Sequence, residues 1–72
     1  MPYDYAKLLG LITEKFQTQA RFSTAIGLSE RSVSLKLNGK KGWKQQEIAR
    51  ACQLLGIQHD RIPDYFFTLK VQ

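Results

Sequence analysis

The chain has 72 residues, a length that allows one domain with a single hydrophobic core. Eleven Lys and Arg residues against six Asp and Glu give a formal net charge of +5, which indicates a polyanionic partner. Hydrophobic residues make up 43% of the chain and exclude a disordered protein, and no apolar run approaches the roughly 20 residues that span a bilayer. We therefore expect residues 1–72 to form one cytoplasmic domain that is not associated with a membrane.

A first helix is predicted over residues 5–16, with Asp4 as its N-terminal cap. Apolar side chains recur along it at the three- and four-residue spacing of one buried face, namely Tyr5, Leu8, Leu9, Ile12 and Phe16. Gln17 links this helix to the next segment.

Residues 18–39 carry start and stop signals for two short helices joined by a tight turn. Thr18 is placed to cap the first helix, and Gly27 to end it in the left-handed conformation. Ser29 caps the second helix, which ends at Asn38 and Gly39. The inner faces of the two helices are apolar: Phe22, Ala25 and Ile26 in the first, Val33 and Leu37 in the second. This pattern predicts a helix-turn-helix, and the alternative is the middle of an ordinary helical bundle.

The outer surface of the second helix is the candidate binding face. With Val33 and Leu37 directed inward, a rotation of about 100° per residue directs Arg31 and Leu35 away from the core. Two hydroxyl residues flank them, Ser32 and Ser34. In a helix-turn-helix this face enters the DNA major groove, where arginine pairs with guanine and hydroxyls meet base edges.

Positive charge follows this helix. Lys40 and Lys41 lie in the next loop and Lys44 at the start of the following helix, where a helix-turn-helix meets phosphates. The alternative is a solvated loop that its lysines keep soluble. Trp43 precedes a fourth helix, predicted over residues 44–55, and is expected to pack one turn in, on the stem of Glu47 and on Ile48.

The fourth helix directs one apolar face inward, formed by Ile48, Ala51, Cys52 and Leu55, and Gly56 ends it. A last helical segment begins near His59, and Pro63 either breaks it or begins another turn. Residues 66–71 are also compatible with a strand, and this tail either covers the core of its own subunit or contacts a second copy. Tyr65, Phe66 and Phe67 cannot all be buried in so small a body.

Catalytic chemistry is not indicated. Cys52 is the only cysteine and His59 the only histidine, and no paired carboxylates, activated nucleophile or phosphate loop accompany them. We expect no enzyme activity, no metal and no cofactor, and a buried Cys52 that acts as a small hydrophobic side chain.

The corner Gly27-Leu28-Ser29, together with Thr18-Gln19, Val33-Ser34 and Leu37-Asn38-Gly39, resembles the helix-turn-helix of phage Cro/CI-type repressors. From Tyr3-Asp4-Tyr5 to Tyr65-Phe66-Phe67-Thr68-Leu69, the chain is similar to the modulator-of-repression antirepressors of lactococcal temperate phages. The resemblance implies an all-α, compact five-helix bundle of the lambda repressor/Cro type, in the cytoplasm of a host bacterium. It also implies a lysis-lysogeny switch in which the partner is the phage's CI-type repressor.

Two positions depart from the usual family pattern. Lys36 stands where an apolar residue is typical, and we expect its methylenes to cover the core edge while its ammonium stays in water. Leu35 stands where a polar or basic residue is more common. A leucine in the centre of the face favours docking on protein, with Arg31 beside it, although single exposed leucines are ordinary.

The sequence thus predicts an antirepressor that binds the DNA-binding domain of a CI-type repressor through its own helix-turn-helix face. The alternative is a Cro-like repressor that binds operator DNA directly as a dimer, with its C-terminal segment in the dimer contact. The candidate residues for the repressor or DNA are Gln19, Ser29, Glu30, Arg31, Ser32, Ser34, Leu35 and Asn38, and those for phosphates are Lys40, Lys41 and Lys44.

Overall fold

The computed structural model describes residues 3–70, and over this range the chain forms five α-helices. In chain order these are α1 (Ala6–Phe16), α2 (Gln19–Ile26), α3 (Glu30–Leu37), α4 (Gln45–Leu55) and α5 (Ile62–Phe66), with a 3-10 turn (His59–Arg61) before α5. The predicted all-α five-helix fold is confirmed. Residues 66–70 form no strand and make one isolated antiparallel bridge, between Tyr3 and Leu69. Val71, the end of the strand considered above, lies outside the described residues.

Local capping explains where α2 and α3 begin, whereas the N-cap of α1 is Tyr5 and not the predicted Asp4. Thr18 Oγ1 accepts a hydrogen bond from the Arg21 N–H at 3.1 Å, and Ser29 Oγ accepts one from the Ser32 N–H at 3.0 Å. Asp4 Oδ1 accepts the Ala6 N–H at 2.9 Å, although α1 begins at Ala6, one residue later than predicted. These bonds satisfy amides that have no partner within their own helix.

The helices bury one shared core, in which the side chains of Leu8, Ile12, Phe22, Val33, Ala51, Leu55 and Phe66 are at most 2% exposed. Cys52 is also buried, as predicted, and burial raises the pKa of its thiol above the usual 9.0. None of the helices among residues 3–70 combines the length and the apolar character that a membrane crossing requires.

Two residues predicted to face inward do not. Leu9 is 37% exposed, because α1 is rotated so that Leu11 rather than Leu9 packs beside the buried Leu8 and Ile12. Ala25 is exposed, and Ser23 takes the inner position on α2. Ser23 is tolerated there because its hydroxyl donates to the Ala20 carbonyl at 2.7 Å.

Phe66 and Thr68, near the end of the described residues, contact their own subunit. The Phe66 ring is 1% exposed and meets the Trp43 ring edge-on, with the two centroids 5.3 Å apart. The Asp4 N–H donates to the Thr68 carbonyl at 2.7 Å, which holds the two ends of the described chain together. Phe67 stays 49% exposed, so the three neighbouring rings are not all buried, as predicted.

Candidate partner-binding face of helix α3

The outward face of α3 is a stripe of four residues at the spacing i, i+3, i+4 and i+7: Arg31, Ser34, Leu35 and Asn38. Arg31 and Asn38 are exposed, whereas Ser34 and Leu35 are half-buried. Leu37 packs against the buried core cluster, but Leu35 is not among the described side chains that do so. The stripe therefore offers one incompletely covered leucine between polar groups.

The N-terminal end of α3 carries Ser29, Glu30 and Ser32. The oxygen of Ser29 is engaged as the cap, so the hydroxyl hydrogen is the group it can offer to a partner. Glu30 is exposed in the first turn, where a negative charge is favoured by the helix dipole. Ser32 is half-buried at the edge of the stripe.

Asn38 and Ser34 are brought into contact at the other end of the stripe. Asn38 Nδ2 donates to the Ser34 carbonyl at 2.9 Å and lies 3.4 Å from Ser34 Oγ. The amide group is therefore fixed, and its oxygen is the part left for a partner. Gln19 is half-buried at the first residue of α2, and its role in the face stays a prediction.

The three predicted phosphate-contact residues, Lys40, Lys41 and Lys44, are exposed in the loop that joins α3 to α4. This loop begins with a turn in which Gly39 has φ 73°. The Lys40 N–H donates to the Leu35 carbonyl at 2.9 Å, and the Gly39 N–H to the Lys36 carbonyl at 3.3 Å. The turn places the lysines just beyond the C-terminal end of α3.

Lys36 corrects the prediction made from the sequence. Its ammonium was expected in water, but the residue is 1% exposed. Lys36 Nζ lies 2.8 Å from Glu47 Oε1, donates to the Gly42 carbonyl at 2.8 Å and sits 5.9 Å from the centroid of the Trp43 ring. Because a buried charge needs partners, these contacts are what make the inward position possible. The inward position could have been predicted from the sequence, because Lys36 follows Val33 by three residues and so lies on the same, inner face of the helix.

Glu47 holds this cluster from the α4 side. Its Oε1 also accepts the Lys44 N–H at 2.8 Å, which caps α4. Burial raises the pKa of Glu47, but the hydrogen bonds from Lys36 and Lys44 and the positive charges of both lysines outweigh burial and leave the pKa below its ordinary 4.5.

Trp43 was predicted to anchor the start of α4, and it packs against the core. Its ring neighbours come from distant parts of the chain: Phe66 at 5.3 Å and Tyr5 at 6.4 Å between centroids. Its indole N–H is buried without an acceptor among residues 3–70. These partners could not be predicted from local spacing, because Tyr5 lies more than thirty positions before Trp43 and Phe66 more than twenty positions after it.

Comparison with known proteins places this geometry in a family. The model of the family described as "Protein of unknown function (DUF739)" matches residues 1–69. The chain belongs to the DUF739 family. A comparison with curated proteins finds no match for this DUF739 chain.

Among solved structures, the DUF739 chain is similar to the modulator of repression (MOR) of the temperate bacteriophage TP901-1 from Lactococcus lactis, determined in solution. The sequences are 56% identical, the alignment covers 100% of this chain and 97% of that one, and the TM-score is 0.81. The resemblance inferred from the sequence is thus confirmed along the whole chain. Among residues 3–70, no group of His, Cys, Asp and Glu side chains could hold a metal ion.

Proposed function

We propose that this protein is a regulator of the lysis-lysogeny switch of a temperate phage. It acts as an antirepressor that binds the DNA-binding domain of a CI-type repressor through the outward face of α3. The observation that carries this proposal is the 56% identity, over the whole chain, to a protein that is itself a modulator of repression.

The α3 face suits a protein partner because its centre is apolar. Leu35 is half-buried, and the exposed Arg31 lies one turn away. Hydrophobic and arginine side chains at the centre of a patch commonly supply most of the binding energy of an interface. A repressor whose DNA-binding surface is covered in this way cannot hold its operator at the same time.

The charge of the protein sets a condition on this contact. The chain carries a net charge of +5, and the DNA-binding surface of a repressor is itself commonly basic. Two acidic residues, Glu14 on α1 and Glu30 on α3, are exposed and available to face positive groups. The remaining lysines then require acidic groups on the repressor.

The test is gel filtration with light scattering of the protein, alone and mixed with the CI-type repressor of the same phage. Leu35→Glu should abolish co-elution, because a charge would be buried without a partner in the interface. Leu69→Glu is the matched control, since Leu69 is 54% exposed and lies outside α2, α3 and their connections. Retained co-elution of the Leu35 variant would contradict the proposal, as would equal loss in the control.

A Cro-like role is the second candidate, and the exposed lysines of the α3–α4 loop together with the outward Arg31 favour it. In that case the protein alone binds operator DNA as a dimer, with an affinity that falls steeply as salt is added. Arg31→Ala should then weaken specific binding by about 1 to 3 kcal/mol. Replacing one of the loop lysines by alanine should lower the slope of log affinity against log salt by about one, the value of one phosphate contact. A protein that stays monomeric and does not shift operator DNA would exclude this role.

A further inference from the structure

Lys36 connects three parts of the structure through one ammonium group. It belongs to α3, its hydrogen-bond acceptor Gly42 lies in the α3–α4 loop, and its ionic partner Glu47 lies in the first turn of α4. Glu47 in turn accepts the N–H of Lys44, the residue that caps α4. We propose that the Lys36–Glu47 pair, whose side chains are 1% and 14% exposed, sets the rotation of α3 and the order of the α3–α4 loop, so that Lys36 is a positioning residue for the partner-binding face.

The rotation of α3 follows from helix geometry. At about 100° per residue, Arg31 lies about 140° and Ser34 about 160° around the axis from Lys36, and Leu35 about 100°. Holding Lys36 inward therefore holds these side chains outward. A rotation of α3 that brought Leu35 toward the core would pull the ammonium away from Glu47 and Gly42, whose oxygens lie 2.8 Å from it.

The loop is held at both ends by the same residue. The Lys36 carbonyl accepts the N–H of Gly39, and its ammonium donates to the carbonyl of Gly42. Lys40 and Lys41 lie between these two points, and both are exposed. Backbone carbonyls of α3 thus hold the first end of this short basic segment, and the Lys36 side chain holds the second.

Energetics favour a positioning role over a stabilising one. The cost of removing two charges from water offsets most of their attraction, so a well-packed apolar pair in the same place is commonly as stable or more stable. A methionine at position 36 would fill a similar volume and require no particular partner. What the ion pair adds is a fixed orientation of α3, because the Lys36 ammonium has both its partners only where it reaches the Glu47 carboxylate and the Gly42 carbonyl.

The experiment compares two double variants that each remove an ion pair without changing the net charge. Lys36→Met with Glu47→Gln removes the buried pair and keeps an acceptor for the Lys44 N–H. Arg61→Met with Asp64→Asn removes an exposed pair, whose N–O distance of 2.8 Å is the same and whose side chains are 56% and 47% exposed. Amide hydrogen exchange and amide NMR shifts are measured on the free proteins, together with thermal unfolding.

The first variant should unfold within a few degrees of the wild type, while the hydrogen-bonded amides of Gly39 and Lys40 exchange roughly tenfold faster and the amide shifts of α3 move. The control should change none of these. If the first variant shows the same amide exchange rates and the same amide NMR shifts as the wild type, the inference is overturned. If that variant does not fold, Lys36→Gln with Glu47→Gln carries the same measurement, because it also removes both charges and keeps a side-chain acceptor for the Lys44 N–H.

The consequence for binding rests on the proposed function: repressor affinity should fall about tenfold in the buried-pair variant and stay constant in the control. The two ideas fail separately. Faster loop exchange together with a Leu35→Glu variant that still binds the repressor supports the role of Lys36 in the free protein and contradicts the proposed function. Unchanged amide exchange in the buried-pair variant, together with loss of repressor binding in Leu35→Glu, supports the proposed function and contradicts the role of Lys36.

Discussion

The two connections that flank α3 are built in different ways. The α2–α3 turn, residues 27–29, depends on bonds between close neighbours in the sequence, such as the Leu28 N–H to the Ser23 carbonyl at 3.0 Å and the cap at Ser29. The α3–α4 loop depends on side chains from distant positions, with Lys36 on Glu47 and Trp43 on Phe66. The first connection is a local motif, whereas the second begins with a local turn at Gly39 but is completed by contacts that form only when distant parts of the chain pack together. Substitutions in the two connections should therefore change the free energy of unfolding by different amounts and for different physical reasons.

Glu47→Ala should produce the largest effect, because it leaves the Lys36 ammonium buried without its ionic partner. Removing one partner of such a pair costs about 3 to 5 kcal/mol. Urea unfolding of the variant and the wild type measures this loss as a difference in the free energy of unfolding. Arg61→Ala, which breaks the exposed pair with Asp64, should cost about 1 kcal/mol or less. Similar losses in the two variants would mean that the burial of Lys36 carries no special cost.

Acid should weaken the same loop through Glu47. Its pKa is lowered in the folded state, so its contribution is fully present above the unfolded value near 4.5 and is lost as the pH falls through the folded value. Stability measured by urea unfolding should thus fall below about pH 4.5 more steeply in the wild type than in Glu47→Gln. Parallel curves for the two proteins would show that another carboxyl group controls the acid response.

The local turn should respond to its glycine. Gly27 has φ 82°, and a Cβ there would meet no atom within 4 Å, so Gly27→Ala tests backbone conformation alone. We expect a loss of about 1 to 2 kcal/mol in the free energy of unfolding. Gly10→Ala is the matched control, since its Cβ also meets nothing within 4 Å but its backbone is helical, and it should stabilise by up to about 1 kcal/mol. Equal signs for the two variants would contradict this account.

The cap at Ser29 should have the smallest effect. Ser29→Ala removes the acceptor for the Ser32 N–H and should cost about 1 kcal/mol in thermal or urea unfolding. Ser32→Ala is the control, because that side chain lies inside α3 and does not cap it. A larger loss in the control than in the cap variant would show that α3 does not depend on its N-terminal hydrogen bond.

The same contrast explains how much the sequence could predict. Capping hydroxyls, left-handed glycines and apolar spacing act over a few residues, so Thr18, Gly27 and Ser29 predicted the helix ends correctly. The outward direction of Arg31 followed from the same spacing. Lys36 did not, because its environment depends on an acid eleven positions later that becomes its neighbour only through packing. Leu9 was also misplaced, because apolar residues on both sides of the α1 stripe allow two rotations of that helix.

The contact between the ends of the described chain has a consequence for how the helices can be ordered. Asp4 bonds to Thr68 and Tyr3 pairs with Leu69, so a short peptide could close the chain into a ring. A circular permutant opened between Lys40 and Lys41 would keep every helix and cut only the connection that Lys36 holds from both sides. The fold would then be assembled around the buried ion pair without the continuous backbone that normally joins its two halves.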